Sequence, residues 1–194
     1  MSTLAVNTIT AETGNTVSLA SGKSLNASQG LTTPTGHIIQ VVHSKRAAAS
    51  GRLSYATGSQ STFSNALGMV VNITPASTSS TMLIKLAFRY SSNQSSDNVV
   101  RIVRTVGGVA TNFYPVDTSG GLGNIYYANG QSNTYGADKA YEDISFEWLD
   151  SPSTAAQITY QVQFANGAGT LSIGCRGDNA NFRDNTITVM EIAG

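Results

Sequence analysis

Two histidines, His37 and His43, and an acidic stretch of Glu142, Asp143, Glu147 and Asp150 are the residues of this 194-residue chain best suited to chemistry. Histidines bind metals or move protons, and paired carboxylates cleave glycosidic bonds. Spacing argues against both. A strand over residues 37–43 would hold the two imidazoles about 20 Å apart, too far to share a metal. A threefold axis would gather three copies of one histidine; otherwise each is an ordinary strand-end residue. Asp143 and Glu147 share a face of another strand at a separation of about 13 Å, which fits neither retaining nor inverting geometry. They read as a solvated strand face and turn. Serines are abundant, but no Gly-x-Ser-x-Gly elbow is present. Gly107-Gly108 and Gly120-Gly121-x-Gly123 lack the helix and lysine of a phosphate loop. Cys175, the only cysteine, excludes an intrachain disulfide and a cysteine-based zinc or redox site. It reads as a small buried apolar residue on a strand. No catalytic residue, cofactor or metal site is expected, so the chain reads as a non-enzyme.

Binding is the other chemistry to consider. Residues 113–141 carry five of the eight tyrosines, interleaved with Gly, Asn and Ser. Tyrosine offers a large amphipathic contact area at low entropic cost, and small polar neighbours adapt their hydrogen bonds to a partner. As a receptor contact, Tyr126, Tyr127 and Tyr135 would stack while Asn129, Asn133 and Asp138 hydrogen-bond, an arrangement suited to sugar. The alternative is a long connection whose rings pack on the sandwich or on a neighbouring subunit.

The elements that must position these residues are strands. Charged residues make up 11% of the chain, under half the usual share of about 25%. Ser, Thr, Asn and Gly account for 80 of 194 residues, which suits a turn-rich all-β protein. Eleven basic and eleven acidic residues balance, leaving no field to attract nucleic acid or an anionic membrane. Residues 1–20 lack a basic start and an apolar segment, and no apolar run approaches 18 residues. Neither a signal peptide nor membrane insertion is expected. Met82, Ile84, Leu86, Phe88 and Tyr90 take one face of a strand with Lys85 and Arg89 on the other, and Ile158, Tyr160, Val162 and Phe164 alternate with polar positions. Val99–Thr105 turns at Gly107-Gly108 into a return strand. Further strands are predicted at 37–43, 69–73, 144–148, 171–175 and 186–192. Eight to ten strands over residues 36–194 predict a β-sandwich or barrel, of which the sandwich is the reading adopted. Strands 38–42 and 187–192 are apolar on both faces, so Ile39, Val41 and Val189 are candidates for intersubunit surface; central strands of a monomeric sandwich would show the same pattern.

Residues 1–35 differ from the rest. Leu4, Val6, Ile9, Val17, Leu19 and Leu25 are the only large aliphatics before residue 31, too few to offset ordering entropy alone. Such a segment buries its apolar side against other copies or stays unordered. The stretches Leu4–Val17, Ile73–Ile84 and Thr186–Ile192 together resemble short fibre-like structural proteins of tailed bacteriophages. That resemblance implies a homotrimer, with an N-terminal extended stalk (1–35) attached to the virion through tail or capsid proteins. It also implies a C-terminal head (36–194) similar to the tumour-necrosis-factor-like jelly roll. The implied function is a short tail fibre, assembled in the host cytoplasm, that contacts a host surface glycan or protein. A capsid decoration or head-fibre protein, a lectin-like module and a glycan-cleaving tail enzyme are the alternatives.

Overall fold

The computed structural model describes Ser21 and residues 34–51, 53–56, 58–92, 97–113, 126–129, 141–175 and 182–194. The chain divides into two units, residues 1–32 and 33–194, and the described fold is that of the second. Leu4, Val6, Ile9, Val17, Leu19 and Leu25 therefore lie outside the described residues.

Period-two alternation on β-branched and aromatic residues produces strands almost throughout. They are β1 (Ile38–Arg46), β2 (Leu53–Tyr55), β3 (Ser59–Ile73), β4 (Thr81–Ser92), β5 (Asp97–Val106), β6 (Val109–Phe113), β7 (Tyr126–Asn129), β8 (Glu142–Asp150), β9 (Ile158–Asn166), β10 (Leu171–Ile173) and β11 (Asn185–Ile192). The single helical turn among the described residues is a 3-10 turn at Ala48–Ser50. No helix among them is long and apolar enough to cross a membrane.

Two antiparallel sheets form. The first pairs β1 with β11, β11 with β4, and β4 with β8, while β10 continues alongside β4 and pairs with β2. The second pairs β3 with β9, β9 with β5, and β5 with both β6 and β7. The pairs β1–β11, β3–β9, β4–β8 and β5–β6 are what a long hairpin leaves when it is rolled up. This is a jelly-roll sandwich; the strand pattern predicts a sandwich or barrel, and the jelly roll is what the resemblance implies.

The predicted inward faces hold. Met82, Ile84 and Leu86 of β4 meet Ile158, Tyr160 and Val162 of β9 in one core, all fully buried. Phe88 sits edge-on to Phe164 at 5.2 Å between centroids and 6.3 Å from Phe146. The hairpin between β5 and β6 has positive φ at both Gly107 (57°) and Gly108 (82°), the type I′ geometry whose twist matches its strands. Cys175 is buried just after β10.

β3 is longer than the predicted strand at 69–73. Its first half lacks alternation because its register slips between Asn65 and Val70. Gly68, at φ 75°, takes the left-handed turn within the slip, and Leu67 points to solvent at 66% exposure. Gln161 Nε2 donates to the displaced carbonyls of Ala66 and Met69 at 3.1 and 3.3 Å. Burial pushes the Tyr55 phenol up to about 12, with Arg46 acting in the opposite sense. Val189, expected at an intersubunit surface, is instead fully buried in the chain's own core. The two-sided pattern of β11 made both faces eligible; register places Val189 opposite Ile84, itself an inward residue.

Candidate functional site

With the core complete, the residues able to meet a partner are those on the outer sheet faces. On the first sheet, the register lines up rows of side chains across four strands. Val41, Met190, Leu83 and Leu149 form one row. Val41 is 55% exposed and Leu149 64%. Beside it, Ile38 and Ile192 are paired, and both Ile38 and Ile39 are exposed. The result is an apolar band about 14 Å wide, three strand spacings. Ile39 and Val41 thus lie on an open surface, apart from Val189.

Below the band the face turns polar. His43, Thr188, Lys85 and Glu147 form the next row, with a Lys85–Glu147 ion pair of 3.3 Å. His43 Nδ1 lies 2.8 Å from the Thr188 hydroxyl, and His37 Nδ1 lies 3.1 Å from the Pro34 carbonyl oxygen. Further along, Arg89 makes a bidentate pair with Asp143, Nε and Nη2 donating at 2.7 and 2.6 Å. Tyr141 stacks on the guanidinium at 4.0 Å, and Tyr90 donates to Glu142 at 2.7 Å. Glu142, Asp143 and Glu147 are thus exposed cross-strand complements of β4, as a solvated strand face would be, whereas Asp150, read with them as solvated, is buried because its side chain turns into the core. Only the register reveals these basic and phenolic partners.

The Arg89 hydrogen bond, and then its charge, hold the Asp143 carboxyl below the usual carboxylate range. A folded-state value below the unfolded one of about 3.9 contributes stability above that pH, and the contribution disappears as pH falls through the folded value. Acid unfolding of Asp143→Asn should therefore be shallower below about pH 4 than that of the parent. Identical acid limbs in circular dichroism titrations would refute this.

Two buried acids tie the sandwich together. Asp150, at the end of β8, accepts from Arg104 Nη1 and from the Tyr160 hydroxyl, both at 2.6 Å. Arg104 and Tyr160 belong to the other sheet, so this carboxylate crosses the core. Burial, then the Asp150 hydrogen bond, pushes the Tyr160 phenol well up. Glu191 of β11, fully buried, accepts from Ala76 N, Ser80 Oγ and Gln40 Nε2, each at 2.6 Å. Both act on the fold; neither faces an open site. A core cavity beside Phe88, Asn98 and Phe164 measures about 10 Å³, roughly one water's room and far below a ligand pocket.

The outer face of the second sheet is different in kind. Arg101 of β5 lays its guanidinium carbon 3.8 Å over the Phe63 ring and donates Nε to Gln163 Oε1 at 2.7 Å. Gln163 Nε2 donates to Asn65 Oδ1, also at 2.7 Å. Alongside, the Thr159 hydroxyl donates to Asn72 Oδ1 at 2.7 Å. Partial burial lowers the pKa of Arg101. Of the tyrosine-rich candidates, Tyr126, Tyr127 and Asn129 fall on β7, registered opposite Val100, Val99 and Asp97. Their backbone thus flanks Arg101 on the same sheet. Asn133, Tyr135 and Asp138 lie outside the described residues. Sequence reading missed Arg101. The available signal was a lone basic residue at an outward position between Val100 and Ile102.

No family model matches this sequence, and no curated protein matches it. Among solved structures, similarity extends to the Eiger TNF of S. frugiperda, at 8% identity and TM-score 0.45 over 79% of this chain and 93% of that one. A chain of the T13 infectious bursal disease virus particle matches at 11% identity and TM-score 0.41, over 90% of this chain and 40% of that one. VP2 of an infectious bursal disease virus subviral particle matches at 10% and 0.38, over 89% and 42%. The chain spans about two fifths of the length of these viral chains. At such values the likenesses carry no argument about activity.

Proposed function

We propose that the protein is a bacteriophage virion structural protein, a short homotrimeric tail fibre without enzymatic activity. Residues 1–35 serve as stalk and virion anchor, and residues 36–194 form a jelly-roll head that contacts the host surface. The observation that best supports assembly is the apolar band of Ile38, Ile39, Val41 and Leu149 on a sandwich whose own core is already filled. Monomeric soluble proteins seldom leave a contiguous apolar patch on a flat sheet face, and a symmetric copy is a ready source of cover. The Lys85–Glu147 row at its border carries one charge of each sign, so a second copy meets no net repulsion there.

Light scattering on the purified chain should give the mass of three copies. Val41→Asp combined with Leu149→Asp places two carboxylates in the band and should yield a monomer with an unchanged β-sheet spectrum. A monomeric parent protein, or a double variant that remains trimeric, would sink this reading.

A further inference from the structure

We infer that His43 makes assembly of the chain pH-dependent: copies associate through the outer face of the first sheet while its imidazole is neutral, and separate when it is protonated. The inference rests on the assembly reading above and adds its regulation.

Area places His43 beneath a second copy. The apolar band spans two rows of side chains, that of Val41 and that of Ile38, Ile39 and Ile192. At about 7 Å per row and about 14 Å across, the band covers about 200 Å². A specific interface buries about 800 Å² on each partner. A copy seated on the band must therefore reach beyond it. The flat face continues in one direction only, because β1 begins at Ile38 and β11 ends at Ile192. In that direction the next row is His43, Thr188, Lys85 and Glu147. His43 is exposed in the single chain. It lies about 7 Å from Val41 along the strand, so the copy that covers the band covers the imidazole as well.

Charge on the same face opposes a proton there. On β1 the same-face neighbour is Lys45, about 7 Å along the strand, which pairs with Asp184 at 3.0 Å. On β4 it is Lys85, two strand spacings or about 10 Å across, which pairs with Glu147 of β8 at 3.3 Å. Glu147 stands one strand farther out, and Asp143, farther along β8, is held by Arg89. The one acid of β11, Glu191, is buried on the inner side. By backbone position, an imidazolium at residue 43 meets two lysines before it meets a carboxylate. Its own contact, Nδ1 at 2.8 Å from the Thr188 hydroxyl, suits either charge state, since a hydroxyl both donates and accepts.

In water a protonated ring is hydrated and the lysines are screened. Under a second copy that hydration is lost, and burial disfavours the charged form of a histidine. Proton uptake and association therefore oppose each other. By linkage, association is complete where the imidazole is neutral in both states, and it weakens as pH falls through the range from about 8 to about 5 in which histidines titrate. A loss of about tenfold in proton affinity at each of three sites, about one pKa unit, lowers the association constant of a trimer about a thousandfold and raises its half-dissociation concentration about thirtyfold. His37, the only other histidine, precedes β1 where the flat face ends.

The test is sedimentation equilibrium on the full chain at about pH 7.5 and about pH 5, the two sides of the histidine range, with circular dichroism on the same samples. The parent should be trimeric at the higher pH. At the lower pH its half-dissociation concentration should be about thirtyfold higher, with an unchanged β-sheet spectrum. His43→Gln, which takes up no proton, should give the same trimer at both pH values, and His37→Gln should respond as the parent does. His43→Lys, a fixed cation, should assemble as weakly at the higher pH as the parent does at the lower. Equal association of the parent at both pH values, or a pH response that survives in His43→Gln, overturns the proposal. So does loss of the β-sheet spectrum at the lower pH, which would assign the change to the fold. A parent that is monomeric at the higher pH sinks the trimeric reading and this inference together, whereas a trimer indifferent to pH sinks this inference alone.

Discussion

Asp150→Ala is expected to destabilise the sandwich by about 3 kcal/mol, the low end for removing one partner of a buried ion pair. The carboxylate is 5% exposed while Arg104 is 24% exposed. The guanidinium left behind can therefore reach water in part, which limits the loss. The Tyr160 hydroxyl has no such exit, because its residue is fully buried, and it forfeits its 2.6 Å bond to Asp150. Urea unfolding at fixed protein concentration measures the change; the concentration must be held because assembly contributes to apparent stability. Asp150→Asn keeps the volume and one acceptor, so it should cost less. An apolar replacement of the set, Asp150→Leu with Arg104→Met and Tyr160→Phe, should recover most of the loss, since the charge itself adds little net stability when buried. A loss under about 0.5 kcal/mol for Asp150→Ala, typical of a neutral surface change, would show that the cross-sheet contact does not hold the layers.

Glu191→Ala is expected to cost about 3–4 kcal/mol, through a different mechanism. No cation faces this carboxylate among the described residues. Its three partners are all donors: Ala76 N, Ser80 Oγ and Gln40 Nε2. The buried Ser80 hydroxyl left without an acceptor costs about 1–3 kcal/mol; the half-buried Ala76 N–H and Gln40 amide cost less, since water and alternatives such as the Thr74 carbonyl, which Gln40 already reaches at 2.7 Å, give partial relief. The damage should be local first, because Glu191 fastens the turn at residues 74–80 to β1 and β11. Hydrogen exchange at Ala76 should rise before global unfolding does. Glu191→Gln preserves the shape but turns one acceptor into a donor facing a donor, so it should cost less than alanine while still lowering the melting temperature. Unchanged protection at Ala76 in Glu191→Ala would contradict this account.

Much of the frame is legible without coordinates. β9 alternates strictly and β4 keeps an unbroken apolar parity beside Lys85 and Arg89, so Ile158 through Phe164 and Met82 through Phe88 announce their inward faces, and Gly107-Gly108 announces a hairpin. The first half of β3 was hidden because its register slip at Asn65–Val70 breaks the period that a reader looks for. β2 is a three-residue strand, too short for a pattern. Glu191 did leave a trace, since it shares parity with the apolar Ile187 and Val189. A carboxylate on that face must be buried.

Local periodicity, composition and spacing determined by themselves that the chain is an all-β protein of zero net charge whose carboxylates Asp143 and Glu147 sit too far apart on one strand for glycoside chemistry. These properties depend on residues close in sequence, and alternation along one strand reports them directly. Only tertiary structure decided which apolar face is open, that Val41 faces outward while Val189 fills the core, and which strand stands opposite each acid. It alone brought Phe63, Arg101 and Gln163 together, since the arginine and glutamine are 62 residues apart in the chain. Pairing between distant strands is set by how the long hairpin rolls. A strand's own sequence records which way each side chain points, and says nothing of the neighbour it will meet.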